Sequence, residues 1–175
     1  MKNFVSAVAF STLVLAATPA FAATPTGGRV EAIVGYDHAK ASGFKDNGVL
    51  YGVGAGYDFA VAPSVSLGVD AEVSDSTVKE DFGGFDVTAG RDIYAGARVS
   101  FPVSAAANLY LKAGYTNARI KAEDIGSDNL DGFRIGGGGQ LAFSGKAYVG
   151  GEYRYSNYQD GFSRQQVALT VGTHF

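Results

Sequence analysis

The feature that most constrains this chain is a two-residue alternation of apolar and polar side chains that recurs eight times. In the stretch 65–73, Val65, Leu67, Val69, Ala71 and Val73 alternate with Ser66, Gly68, Asp70 and Glu72. A period of two places one set of side chains on each face of a β-strand. Similar segments lie near 29–36, 49–59, 93–101, 109–118, 133–143, 147–155 and 165–175. No long window after the first 22 residues has a helical apolar period. The chain is rich in Gly (25 residues), with 12 Phe, 10 Tyr and only 4 Pro. Many short strands with Gly and aromatic residues predict an all-β chain.

The two faces are unlike. The apolar face carries Val, Leu, Ile, Tyr and Phe and no charge. Its aromatic residues Tyr36, Phe59, Phe101, Phe143, Tyr155 and Phe175 cluster toward strand ends. The polar face combines Gly and Ser with charges of both signs: Glu31, Asp58, Asp70, Glu72 and Glu152 against Arg98, Lys112, Arg134 and Arg154. A soluble barrel would hide the large apolar residues and leave a Gly-rich face in water. A membrane barrel does the reverse, with an apolar outer band between two aromatic girdles. Eight strands enclose a lumen just wide enough for side chains to fill. Buried charges must pair, so these nine residues are expected to form a lumenal charge network. Asp70 and Glu72 should meet Arg or Lys of neighbouring strands.

The connections alternate in length. Segments 60–64, 102–108 and 144–146 are short, whereas 37–48, 75–91, 119–132 and 156–164 are longer and polar. Short periplasmic turns and longer extracellular loops are the pattern of outer-membrane barrels. The reading is an eight-stranded antiparallel up-and-down transmembrane β-barrel over 29–175, preceded by a short segment 23–28. Residues 1–22 read as a cleaved signal peptide: Lys2, an apolar run from Phe4 to Ala17, and Ala20-Phe21-Ala22 as the cleavage site. Removing Lys2 leaves 13 basic against 17 acidic residues, a net charge of −4. That acidity gives no support for nucleic-acid binding. The absence of Cys excludes a disulfide framework.

These strands, with the closing V-A-L-T-V-G-T-H-F and the phrases I-Y-A-G-A-R-V-S-F and Y-L-K-A-G-Y-T, resemble the small eight-stranded outer-membrane β-barrel proteins of Gram-negative bacteria. That group includes the OmpA barrel domain, OmpX/Ail and the opacity-type surface proteins. The resemblance implies a porin-like cell-surface protein of the outer membrane, without cofactor. It makes Val167, Leu169, Val171 and Phe175 a C-terminal signal for the outer-membrane assembly machinery. It also implies contact with outer-membrane lipids and lipopolysaccharide. The chain ends at the eighth strand, so a peptidoglycan-binding domain is not expected.

The resemblance favours a non-enzymatic structural or adhesion-type role through the four long loops. A narrow channel for ions or small solutes is the alternative. A lipid A-modifying enzyme is more remote, with His38, Asp37 and Ser42 as its candidate set. Asp70 and Glu72 as paired hydrolytic carboxylates need a sugar-sized cleft that a filled barrel lacks. The runs Gly136–Gly139 and Gly52-x-Gly54-x-Gly56 precede no helix and are not phosphate cradles. Ser127–Gly132 partly matches a calcium loop but has Gly138 where a bidentate Glu is needed. With Glu123 and Asp124 it reads as an acidic exposed loop, as does the segment with Asp75, Glu80, Asp81 and Asp86. Phe82-Gly83-Gly84-Phe85 is a candidate protein-contact tip.

Overall fold

The computed structural model describes residues 24–41, 44–81, 86–122 and 126–175. Residues 1–22, expected as a signal peptide, and Ser42, Phe82–Phe85, Glu123 and Asp124 lie outside the described residues. Among the described residues nine strands follow in chain order. They are β1 (Gly27–Ala41), β2 (Phe44–Ala62), β3 (Val65–Ser76), β4 (Lys79–Asp81), β5 (Asp86–Pro102), β6 (Ala107–Ala122), β7 (Gly126–Ser144), β8 (Ala147–Tyr158) and β9 (Ser163–His174). Each pairs antiparallel with its neighbours, β9 pairs with β1, and β3 pairs with β5. The sheet is therefore a closed, eight-stranded up-and-down barrel, and β4 is a short addition paired to β5 beyond the end of β3. Closure through the β3–β5 pairing leaves no free edge in the barrel wall below β4, which a membrane demands of a β-structure.

The seam joins the first strand to the last. Its register runs from Arg29↔His174 to Lys40↔Ser163. At its lower end Gly28 N donates to the Phe175 carbonyl at 3.2 Å and Phe175 N to that of Gly28 at 2.9 Å. The turns at this end are short: residues 63–64, 103–106 and 145–146. Gly145 takes φ +54° in the last of them, a left-handed backbone that suits glycine.

At the opposite end the strands run longer than the sequence pattern indicated. Segments 37–48, 75–91, 119–132 and 156–164, expected as loops, are mostly strand in their described residues. β2 and β7 have 19 residues each, about twice the 9–11 that a tilted crossing needs. The ladder continues above the membrane. There the outward residues no longer need to be apolar, so alternation fades while pairing does not. Gln159–Gly161 form a single 3-10 turn between β8 and β9.

The apolar set points outward. Val69, Leu111 and Leu169 are 58–60 % exposed. Tyr57, Phe59, Phe101, Phe143 and Phe175 ring the lower margin of this belt, and Tyr36, Tyr51, Tyr115, Phe133 and Tyr153 the upper one. The buried residues are mainly polar, and they fill the lumen.

Candidate functional site

The barrel interior holds the chain's densest chemistry. Lumen-facing positions are spaced by two along every strand, and many are Gly. Asp70 has Gly56 and Gly96 opposite it on the adjoining strands. The expectation that Asp70 and Glu72 meet cations of adjoining strands is therefore corrected: with glycine beside it, Asp70 pairs with Arg29 of β1, two strands along. Arg29 also bridges to Asp58. Glu72 reaches across the lumen to Lys112 at 3.2 Å, Arg134 at 3.3 Å and Arg154. These three lie on β6, β7 and β8, so one carboxylate ties β3 to the opposite wall.

A second carboxylate, Glu152, completes this layer. It forms ion pairs with Lys112 Nζ at 2.8 Å and Arg154 Nε at 2.9 Å and accepts a hydrogen bond from the Tyr110 hydroxyl at 2.7 Å. Lower in the barrel Glu31 accepts the Tyr148 hydroxyl at 2.8 Å. Arg98 has no carboxylate within salt-bridge distance among the described residues. Its Nε donates to Ser100 Oγ at 3.0 Å, and its guanidinium lies 3.6 Å from the Tyr110 ring centroid. Stacking on an aromatic face suits the planar guanidinium.

Four charges missed by the sequence reading extend the network. Asp92 takes Arg134 at 2.5 Å, Arg164 at 3.3 Å, and hydroxyls of Thr116 and Tyr158 at 2.6 Å each. Asp37 pairs with Arg164, and Arg29 bridges the two lower carboxylates. Asp37 and Arg164 fell in segments expected as loops, and Asp92 immediately precedes the segment expected as a strand. Continuing the two-residue count along the polar face, 31, 33, 35, 37, would have found Asp37.

Above this layer the lumen turns apolar. Ala39, Val78, Ala118, Leu130, Tyr158 and Phe162 form one buried cluster at the outer mouth. Phe162 follows the 3-10 turn and packs on Tyr158 with ring centroids 5.3 Å apart. From the outer mouth inward the lumen is thus closed by an apolar cap, then by a charge layer. Below, several buried polar groups have no protein partner, including both amide atoms of Gln140 and the hydroxyls of Ser66 and Thr170.

The other candidates are not assembled. Asp37 is buried in the lumen, whereas His38 is on the outer face, its Nδ1 2.7 Å from Asn47 Oδ1. Adjacent strand residues point to opposite faces, so Asp37 cannot orient this imidazole. Ser127–Gly132 is strand, not a loop. Asp131 accepts bonds from the Tyr115 hydroxyl and from Asn117 Nδ2 at 2.7 Å. Among the described residues no three His, Cys, Asp or Glu side chains converge as metal ligands.

Residues 7–175 match the family described as outer membrane protein beta-barrel domain. The chain belongs to this outer-membrane β-barrel family. Solved barrels share its fold. Neisserial surface protein A is 18 % identical with a TM-score of 0.67, covering 86 % of this chain and 98 % of that one. Ail, the attachment invasion locus protein of Yersinia pestis, solved with the heparin analogue sucrose octasulfate, is 19 % identical with a TM-score of 0.62 over 85 % and 99 %. The outer membrane enzyme PagL is 17 % identical with a TM-score of 0.53 over 84 % and 99 %. At these identities the likeness is one of fold. No curated protein sequence matches. The barrel described above is therefore that of an outer-membrane protein, its apolar belt in contact with lipid.

Proposed function

We propose that this outer-membrane barrel is a non-enzymatic structural and surface-interaction protein, of adhesion type, acting through the hairpins above its outer girdle. The observation that carries this reading is the filled lumen. Among the described residues, cross-lumen ion pairs under an apolar cap leave no cleft for a substrate inside the barrel, which supports the outer rim as the contact surface. Two solved barrels of this fold, Ail and Neisserial surface protein A, are surface or attachment proteins by name. Export follows cleavage after Ala22, and Val167, Leu169, Val171 and Phe175 address the chain to the assembly machinery. Its standing partners are the membrane lipids and lipopolysaccharide. A host or surface ligand would meet the hairpins within 37–48, 75–91, 119–132 and 156–164. Of the nine charges read from the sequence, Glu72, Lys112, Arg134, Glu152 and Arg154 serve as an internal clamp beneath this rim.

The test is adherence of cells expressing the protein to immobilised host matrix and to heparin beads. Cells carrying the barrel with shortened β1–β2 and β6–β7 hairpins are the comparison. Adherence above the empty-vector level that falls with shortening supports the reading; adherence equal to empty vector overturns it.

A narrow channel is the second reading, favoured by one observation. The unpartnered groups of Gln140, Thr170 and Ser66 lie buried below the charge layer, and buried polar groups take water where protein does not serve them. Conductance steps from the purified barrel in planar bilayers would promote it.

A further inference from the structure

Below the ion-pair layer the lumen faces the short-turn end, and two charges there stand open. Beneath the outer apolar cluster, every Asp, Glu, Lys and Arg side chain of the lumen among the described residues is in a salt bridge except Glu31 and Arg98. Their signs are opposite, yet they do not meet. Glu31 is held by the Tyr148 hydroxyl at 2.8 Å. Arg98 is held by Ser100 Oγ and by the Tyr110 ring, and its two terminal nitrogens have no protein partner among the described residues.

The register sets the two at one height on facing walls. The row Glu31–Gly54–Glu72–Tyr94 crosses β1, β2, β3 and β5. Three strand spacings of about 4.8 Å at a tilt near 40° raise this row by roughly 9 Å. Arg98 lies four residues down β5 from Tyr94, a descent of roughly 10 Å at about 3.4 Å per residue. Both charges act electrostatically on the hydroxyls of Tyr110 and Tyr148, so one space lies between them. Around that space Ser66 Oγ, both amide atoms of Gln140 and Thr170 Oγ1 are buried without protein partners. Ser66 is directly opposite Ser100, and Gln140 and Thr170 flank Gly150 from either side.

Buried charges and polar groups are partnered as a rule, so this space calls for an occupant. An anion would answer Arg98 but face Glu31, and a cation would do the reverse. Asp58 and Asp70 do not alter this, because Arg29 bridges both. Water serves hydroxyls and amides but brings no charge. We infer that Glu31 and Arg98 form a two-ended site for a small zwitterion of the amino-acid class, its carboxylate on the Arg98 guanidinium and its ammonium on Glu31. Ser66, Gln140 and Thr170 supply further hydrogen bonds. A solute neutral overall leaves the charge balance of the lumen as it is. Entry is from the periplasmic end, since the ion pairs and the apolar cluster bar the outer one. The inference goes beyond the adhesion reading and is independent of it, since the hairpins take no part.

The experiment uses the purified barrel folded in deuterated detergent micelles, with solute contact read by saturation-transfer NMR. The probes are free glycine, acetate and methylammonium at equal concentration and ionic strength, the last two carrying one charged end each. Free glycine should give a saturable signal well above that of either half-probe. Arg98→Gln and Glu31→Gln should each raise its Kd about tenfold, the loss of one charge-assisted contact. Lys146→Gln, in an exposed turn, should leave it unchanged. Compact gel mobility without heating shows that each variant is folded. If a charge variant fails to fold, Gln140→Leu, which removes an unpartnered amide, should still weaken the binding several-fold. Absence of a saturable glycine signal means water alone fills the space, and acetate binding as well as glycine means an anion site at Arg98 alone. Either result, or full glycine binding in the folded variants, would overturn the inference.

Discussion

Glu72→Ala removes the carboxylate that ties β3 to β6, β7 and β8. The upper lumen balances four acids, Asp37, Glu72, Asp92 and Glu152, against Lys112, Arg134, Arg154 and Arg164. Without Glu72, Lys112 and Arg154 still share Glu152 at 2.8 and 2.9 Å, and Arg134 still holds Asp92 at 2.5 Å. One positive charge is left in excess, in side chains at most 5 % exposed. Breaking a buried pair by removing one partner costs about 3–5 kcal/mol, and the surviving contacts place the loss near the lower bound. Glu72→Ala/Lys112→Met restores charge balance with an apolar side chain of similar length, and should recover at least about half of the loss, because replacing both buried partners is often near neutral. The assay is urea unfolding in phospholipid vesicles, followed by far-ultraviolet circular dichroism and by gel mobility without heating. A single variant within about 0.5 kcal/mol of the parent, or a double variant less stable than the single, would refute the network as a clamp.

Three further outcomes follow from the same geometry. Val69→Arg puts a charge on the mid-belt lipid face, where Val69 is 58 % exposed, and should cost roughly 2–4 kcal/mol in the same titration; Lys45→Arg at the rim should change it little. Gly114→Ala should cost about 1–3 kcal/mol, because its Cβ would meet the Ala95 carbonyl and the Gly96 backbone. Those backbone atoms cannot rotate aside, and the reduced urea midpoint will show it. Replacing both Leu130 and Phe162 by Ser should leave planar bilayers silent, since the ion pairs beneath still bridge the lumen; conductance steps from that variant alone would place the seal in the cap.

The membrane-spanning part of this barrel was legible because lipid on one side and a packed polar lumen on the other impose opposite demands on successive residues. Val69 beside Asp70 and Ile135 beside Arg134 carry that contrast, and the structure places them on opposite faces. Above the belt the contrast is lost. His38 and Lys40 face outward where Tyr36 does below them, so β1 seemed to end early and Asp37 was left out of the lumen. Arg164 disappeared in the same way, at the start of a strand whose outward residues Ser163 and Gln165 are polar. The partners within the lumen were not legible at all. Pairing of Glu72 with Arg154 depends on the closure and stagger of the barrel, which no strand states by itself. The outer cap was equally hidden, because Ala39, Val78, Leu130 and Phe162 come from segments that read as loops.

The central claim is that the polar face is the lumen and the apolar face meets lipid. The chain has no native Cys, so single Cys variants report cleanly on each face. Ser66 and Leu67 are successive residues of β3, the first fully buried and the second 49 % exposed. Spin labels at Ser66→Cys and Leu67→Cys, in the barrel folded into phospholipid vesicles, distinguish the two by collision with oxygen, which concentrates in lipid, and with a water-soluble nickel complex. Strong oxygen collision at Leu67→Cys together with a label at Ser66→Cys shielded from oxygen is the expected result. The reverse assignment would contradict the account and turn the barrel inside out.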